Sequence, residues 1–125
     1  MEENMVQWMK QAEADLLSSE HAISSKDYYV SAFLSQQAVE KSLKALGIKE
    51  RQELIKSHSV SKLAKDNNLP EELVKKIALL EPVYQETRYP DISSTIPAEE
   101  FDETDAAQFY NIAEEVIEWI RKKIQ

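Results

Sequence analysis

The sequence predicts an all-α protein, a five-helix bundle of up-and-down type. Glycine occurs once in 125 residues, at Gly47. No segment sustains the period-two alternation of a half-buried strand, whereas apolar residues recur at helical spacing through most of the chain. A chain of 125 residues suits one compact domain, 1–125, burying about two thirds of the surface it exposes when unfolded.

A first helix is expected from about Glu3 to Ser24, burying Met5, Trp8, Ala12, Leu16 and Ile23, and ending before Asp27. Asp27 suits the N-cap of a second helix, and Gly47 suits the left-handed position that closes it. Tyr29, Phe33, Val39, Leu43 and Leu46 mark the apolar face of that helix. Ser57 is placed to cap a short third helix through about Asp66, after which Asn67 and Asn68 break the pattern. Pro70 opens the fourth helix, Glu71 and Glu72 complement its dipole, and Leu73, Ile77, Leu80 and Tyr84 form its inward stripe. Pro82 should kink or interrupt this helix, and Arg88 is its expected last residue before Tyr89 and Pro90. A long connection follows, Tyr89 to Phe101. The fifth helix, capped by Asp102 or Thr104, carries Ala106, Phe109 or Tyr110, Ala113, Val116 or Ile117, and Ile120 on its buried face.

Cysteine is absent, which excludes disulfides and thiolate metal sites. No apolar run approaches the roughly 20 residues of a membrane span. The start of the chain, MEENMVQWMK, has neither the basic flank nor the apolar core of a signal peptide. A cytoplasmic protein with no membrane partner is expected. Acidic residues outnumber basic ones 23 to 15, a formal net charge of −8, which weighs against broad binding to a phosphate backbone. The charge is uneven: residues 1–62 carry a net −1 and residues 63–125 a net −7. Six basic residues fall between Lys41 and Lys62, and nine acids with no base lie between Asp91 and Glu118. That asymmetry fits either ordinary surface solvation or an electrically two-sided molecule.

Several chemistries find no support. A single glycine excludes a phosphate-binding glycine loop, and the two histidines lack metal-ligand spacing. The acids from Glu99 to Asp105 lack the spacing and the glycine of a calcium loop, and no serine sits in a nucleophile elbow. No metal, no cofactor and no catalytic residue is expected. What stands out is a row on the second helix, Gln36, Glu40 and Lys44 at i, i+4 and i+8, bordering its apolar face. It reads either as a solvated Glu40–Lys44 pair contributing roughly 0.2–0.5 kcal/mol or as a set of binding groups at the edge of the core.

The stretch holding that row, SQQAVEKSLKALG from Ser35 to Gly47, is followed by KSHSVSKL from Lys56 to Leu63 and by YQETRYPD from Tyr84 to Asp91. With Trp8, Ala12, Asp15 and Leu16 of WMKQAEADLL before them, these segments cover nearly the whole chain. In that order they resemble HEPN domains, the small helical nucleotide-binding domains named for higher eukaryotes and prokaryotes. The resemblance implies a groove for nucleotide or nucleic acid, a homodimer, and, for stand-alone members, a separately encoded minimal nucleotidyltransferase as partner. On this basis the candidate ligand-binding residues are Asp15, Gln36, Glu40, Lys44, His58, Tyr84, Arg88 and Tyr89. Lys44 and Arg88 would hold phosphate, Tyr84 or Tyr89 would stack on a base, and Glu40 would orient Lys44. A structural alternative pairs Arg88 with Asp15 or Glu40 as a buried link.

Many HEPN domains are metal-independent ribonucleases in which an arginine is followed, after four to six residues, by a histidine. The corresponding positions after Arg88 are Ser93, Ser94 and Thr95, and no histidine occurs beyond His58. Arg51 and His58 satisfy the spacing formally, with six residues between them, but lie away from the RYPD segment. His58 alone reads as a polar residue at a helix start, hydrogen-bonded locally, and His21 as a surface residue favoured by the helix dipole. The expectation is therefore a non-nucleolytic binding domain. A ribonuclease toxin of the same fold and a pure protein-interaction module are the alternatives.

Overall fold

The computed structural model describes residues 2–91 and 94–125, so residues 92 and 93 of the expected connection lie outside it. Its helices are α1 (Glu2–Ser24), α2 (Tyr28–Arg51), α3 (Val60–Asp66), α4 (Glu71–Ala78), α5 (Val83–Glu86), α6 (Pro97–Glu100) and α7 (Glu103–Ile124). Among the described residues there is no strand. Each of the five expected helices is present, the fourth divided into α4 and α5.

Helix α1 buries Met5, Met9, Ala12, Leu16, Ser19 and Ala22. Trp8 and Ile23, expected in the core, are only half-buried. The stripe is rotated because small residues line the α1–α2 seam. Ser19 Oγ lies 2.9 Å from Ser31 Oγ and 2.8 Å from Ser35 Oγ, contacts that require close backbones and that satisfy three buried hydroxyls. After Ser24 the chain turns through Lys26 at φ 65°. The N–H groups of Lys26 and Asp27 close back on the Ile23 and Ala22 carbonyls at 3.0 and 2.8 Å, a Schellman ending with lysine in the usual glycine position. The contacts Ser19–Ser35 and Asp15–Lys41 run α1 and α2 antiparallel.

Two expected boundaries are corrected. Helix α2 does not stop at Gly47 but continues to Arg51, and Gln52 takes the left-handed conformation at φ 52°. Gly47 serves close approach instead. A Cβ there would meet the Glu53 carbonyl at 3.3 Å and the Arg51 guanidinium at 3.1 Å, where the chain folds back over the helix. Asp27 holds the N-cap position of α2 as expected, but its side chain makes no cap hydrogen bond. Helix α3 is capped by Ser59, whose hydroxyl accepts the Lys62 N–H at 3.1 Å, while Ser57 caps only the Ser59 N–H, also at 3.1 Å.

Pro82 does interrupt the fourth helix: α4 ends at Ala78, since a proline ring at 82 would clash with the Ala78 carbonyl of a continuous helix. Leu73, Ile77, Leu80 and Val83 are buried, whereas Tyr84 is half-buried and Arg88 lies just past the end of α5. Of the two expected caps for α7, Asp102 is the one used. Its carboxylate accepts the Asp105 N–H at 2.9 Å, and Asp105 returns the bond to the Asp102 N–H at 3.0 Å, a capping box. Helix α7 runs antiparallel to α1, with Arg121 Nε 2.7 Å from Glu13 and Tyr110 near Glu20. It buries Ala106, Ile112, Ala113, Val116, Ile117 and Ile120 against α1 and α2. One core contains residues of α1 to α5 and α7.

Candidate functional site

The Gln36–Glu40–Lys44 row lies inside the protein, with Gln36 0%, Glu40 3% and Lys44 7% exposed. This corrects the solvated-pair alternative. Gln36 Nε2 donates to Glu40 Oε1 at 3.2 Å and Lys44 Nζ donates to Glu40 Oε2 at 3.0 Å. The Lys44 ammonium also lies 5.4 Å from the Trp8 ring, so its charge is met by a carboxylate and an aromatic face. Buried charge at this depth is tolerable only when paired in this way.

His58 enters from the segment between α2 and α3. Its Nδ1 sits 3.2 Å from Glu40 Oε2, and because a carboxylate can only accept, Nδ1 carries the proton in this contact. The partner is 18 residues away, which corrects the expectation of a purely local bond. The side chain is 62% exposed, and its ring stacks on Tyr84 at 4.6 Å between centroids and 14° between planes. Tyr84 in turn accepts a hydrogen bond from Arg88 Nη1 at 2.9 Å. The guanidinium stands 4.7 Å from the Tyr84 ring and 5.6 Å from the Tyr89 ring. Helix α2, the α3 approach and α5 thus deliver one continuous array: Gln36, Glu40 and Lys44 beneath, His58 and Tyr84 stacked above, Arg88 and Tyr89 outermost.

Arg88 is exposed and bonded to neither Asp15 nor Glu40, so the buried-link alternative is corrected as well. Asp15 belongs to a separate contact, accepting from Lys41 Nζ at 2.6 Å and from Gln11 at 2.9 Å. Lys41 was missed. The signal was available: a helical hairpin turning at residues 25–27 sets residue 15 against the first turns of α2 beyond residue 37. Arg51 and His58 line different clefts. Arg51 borders one of about 470 Å³ with Lys62 and Asp66.

Beside the array is a cleft of about 520 Å³ lined by His58, Ser59, Glu81, Pro82, Tyr84, Gln85 and Glu86. Sequence reasoning missed both of its carboxylates. Glu81 Oε1 accepts the Ser61 N–H at 3.0 Å and the Ser59 hydroxyl at 3.2 Å, tying α3 to the turn before α5. Burial, and then the charge of Glu100, raise the Glu86 carboxyl above the usual range. A larger cavity of about 660 Å³, between α1, α4 and α7, contains none of the expected site residues. Chemically, the array offers an exposed guanidinium for an anion and aromatic rings for a planar group. It offers no second free cation, because Lys44 is committed to Glu40.

Fold and site together define an all-helical domain with a cation–aromatic array standing on a buried ionic ladder. The chain belongs to the HEPN domain family, whose model matches residues 5–123. The crystal structure of TT1696 from Thermus thermophilus is 27% identical, covers 95% of this chain and 97% of its own, and superposes with a TM-score of 0.88. That of ST0689, an archaeal HEPN homologue, is 34% identical over 97% of this chain and 98% of its own, with a TM-score of 0.85. A HEPN domain protein from Thermotoga maritima, 24% identical over 94% of this chain and 97% of its own, shares the fold with a TM-score of 0.76. No curated protein matches.

Proposed function

We propose that the chain binds a nucleotide, free or within a single-stranded nucleic acid, and does not cleave it. The observation that carries this is the exposed Arg88 guanidinium set against Tyr84, which is itself stacked on His58 at the edge of a cleft. A guanidinium grips phosphate through two parallel hydrogen bonds, and an aromatic ring gives a base a stacking surface. Gln36, Glu40 and Lys44 support His58 from below, and Tyr89 flanks Arg88. In this proposal residues 1–125 act as one cytoplasmic domain and pair as a homodimer, and binding without cleavage suits an accessory to a separately encoded nucleotidyltransferase.

Calorimetric titration with nucleoside monophosphates tests the proposal. Saturable heat is expected, and Arg88→Ala should weaken it by roughly 1.5–3 kcal/mol, the worth of a charge-assisted contact. Lysine at 88 should restore only part of this, since an ammonium neither forks onto phosphate nor stacks. No heat with any common nucleotide would remove the support for this function.

One observation favours a second possibility, ribonuclease activity. Tyr84 brings Arg88 and an imidazole into one array although no histidine follows Arg88 in sequence, and imidazole is the commonest general acid–base group. Single-stranded RNA is expected to survive incubation with the protein. Cleavage that disappears in His58→Ala would put the ribonuclease in place of the binding domain.

A further inference from the structure

The cleft beside the array is lined by two carboxylates, Glu81 and Glu86, and by no lysine or arginine. A phosphate cannot enter it without facing both. If Arg88 holds the phosphate at the rim, the part of the ligand that enters the cleft is the base. His58 offers that base a platform: one face of the imidazole is covered by Tyr84, yet the side chain remains 62% exposed.

The carboxylates differ in availability. Glu81 is engaged at Oε1 by the Ser61 N–H and the Ser59 hydroxyl. Glu86 is half-buried and has no hydrogen-bond or ion-pair partner among the described residues. A carboxylate is acceptor-only, with two oxygens side by side, so it is matched by two parallel N–H donors on one edge. Guanine has such an edge in its N1–H and exocyclic N2 amino group. Adenine and cytosine place a single amino group next to an acceptor nitrogen, and uracil places one N–H between two carbonyls; each turns a lone pair toward the second carboxylate oxygen. The geometry points to a guanine nucleotide as the ligand, its base stacked on His58 and its donor edge read by Glu86. This inference rests on the nucleotide-binding function proposed above.

Competition titrations of the full chain with GMP, IMP, AMP, CMP and UMP test it. A bidentate contact discriminates by roughly tenfold to 100-fold, so GMP should bind that much more tightly than AMP, CMP and UMP. IMP, which lacks the N2 amino group, should fall between. Glu86→Gln should bring GMP down to the level of AMP, with circular dichroism confirming that the variant is folded, and Arg88→Ala should weaken all five ligands alike. Equal binding of the nucleotides, or a preference for GMP that survives Glu86→Gln, overturns the guanine assignment and leaves nucleotide binding standing. Failure of every nucleotide to bind overturns both.

Discussion

The Lys44 ammonium is buried 3.0 Å from Glu40 Oε2 and 5.4 Å from the Trp8 ring, so its removal strands a carboxylate that is 3% exposed. Lys44→Ala should therefore cost roughly 3–5 kcal/mol of stability, the toll of breaking a buried pair, with His58 relieving part of it. Arg88→Ala should leave the melting temperature unchanged, because the guanidinium is exposed and, among the described residues, its hydrogen-bond partner is Tyr84. Thermal melts of the two variants check this, and a large drop for Arg88→Ala would contradict the described site. Position in the sequence hides the difference. A polar row at i, i+4 and i+8 has the same spacing whether it faces water or the core; only the arrival of the His58 segment and of Trp8 over it shows that it is covered. Tyr110 adds a pH dependence. Burial first, and then Glu114 and Glu20, push its phenol up from 10.0 to about 12. The unfolded chain then releases this proton at lower pH than the folded one, so stability is full below pH 10.0 and declines as the pH rises through about 12. Denaturant titrations from pH 9 upward should show Tyr110→Phe declining less steeply than the wild type.

At the scale of the helix, termini set by short-range chemistry were legible and those set by distant chain were not. The capping box of Asp102, the break at Pro82 and the end of α1 near Ser24 each follow from a few adjacent residues. Gly47 resembles a helix stop, yet its lack of a side chain is used by a carbonyl six residues on, which no local pattern reveals. Ser59 in place of Ser57 has a similar cause, since Glu81 reaches across from the turn before α5 to bind the Ser59 hydroxyl and the Ser61 N–H. Ser59 thus caps α3 and ties it to the α4–α5 turn. Ser59→Ala should cost roughly 0.5–2 kcal/mol as a lost cap, whereas Ser57→Ala should cost less; equal effects in chemical denaturation would restore Ser57 as the cap.

For the whole molecule, helical periodicity and the lone glycine were enough to indicate the class of fold, because they depend on composition and period alone. The rotation of each helix about its axis was not legible, as the exchange of Trp8 for Met9 on the buried side of α1 shows. That rotation leaves apolar surface outside. Trp8, Trp119, Tyr28, Tyr29 and Tyr110 are only partly covered, and Leu17, Leu79, Tyr89 and Ile96 are exposed. A second copy is the occupant expected to cover part of this surface, through a twofold interface. Each chain brings a net charge of −8, so pairing must overcome mutual repulsion and should strengthen as salt screens it. Sedimentation equilibrium at tens of micromolar should give about twice the 14.4 kDa chain mass, rising toward the full dimer with added salt. Leu17 lies on α1 and Leu79 in the turn after α4, so replacing each in turn by glutamate should split the dimer for one and spare it for the other, locating the interface. A wild-type mass of 14.4 kDa at every salt concentration would show that the exposed apolar residues serve no self-association.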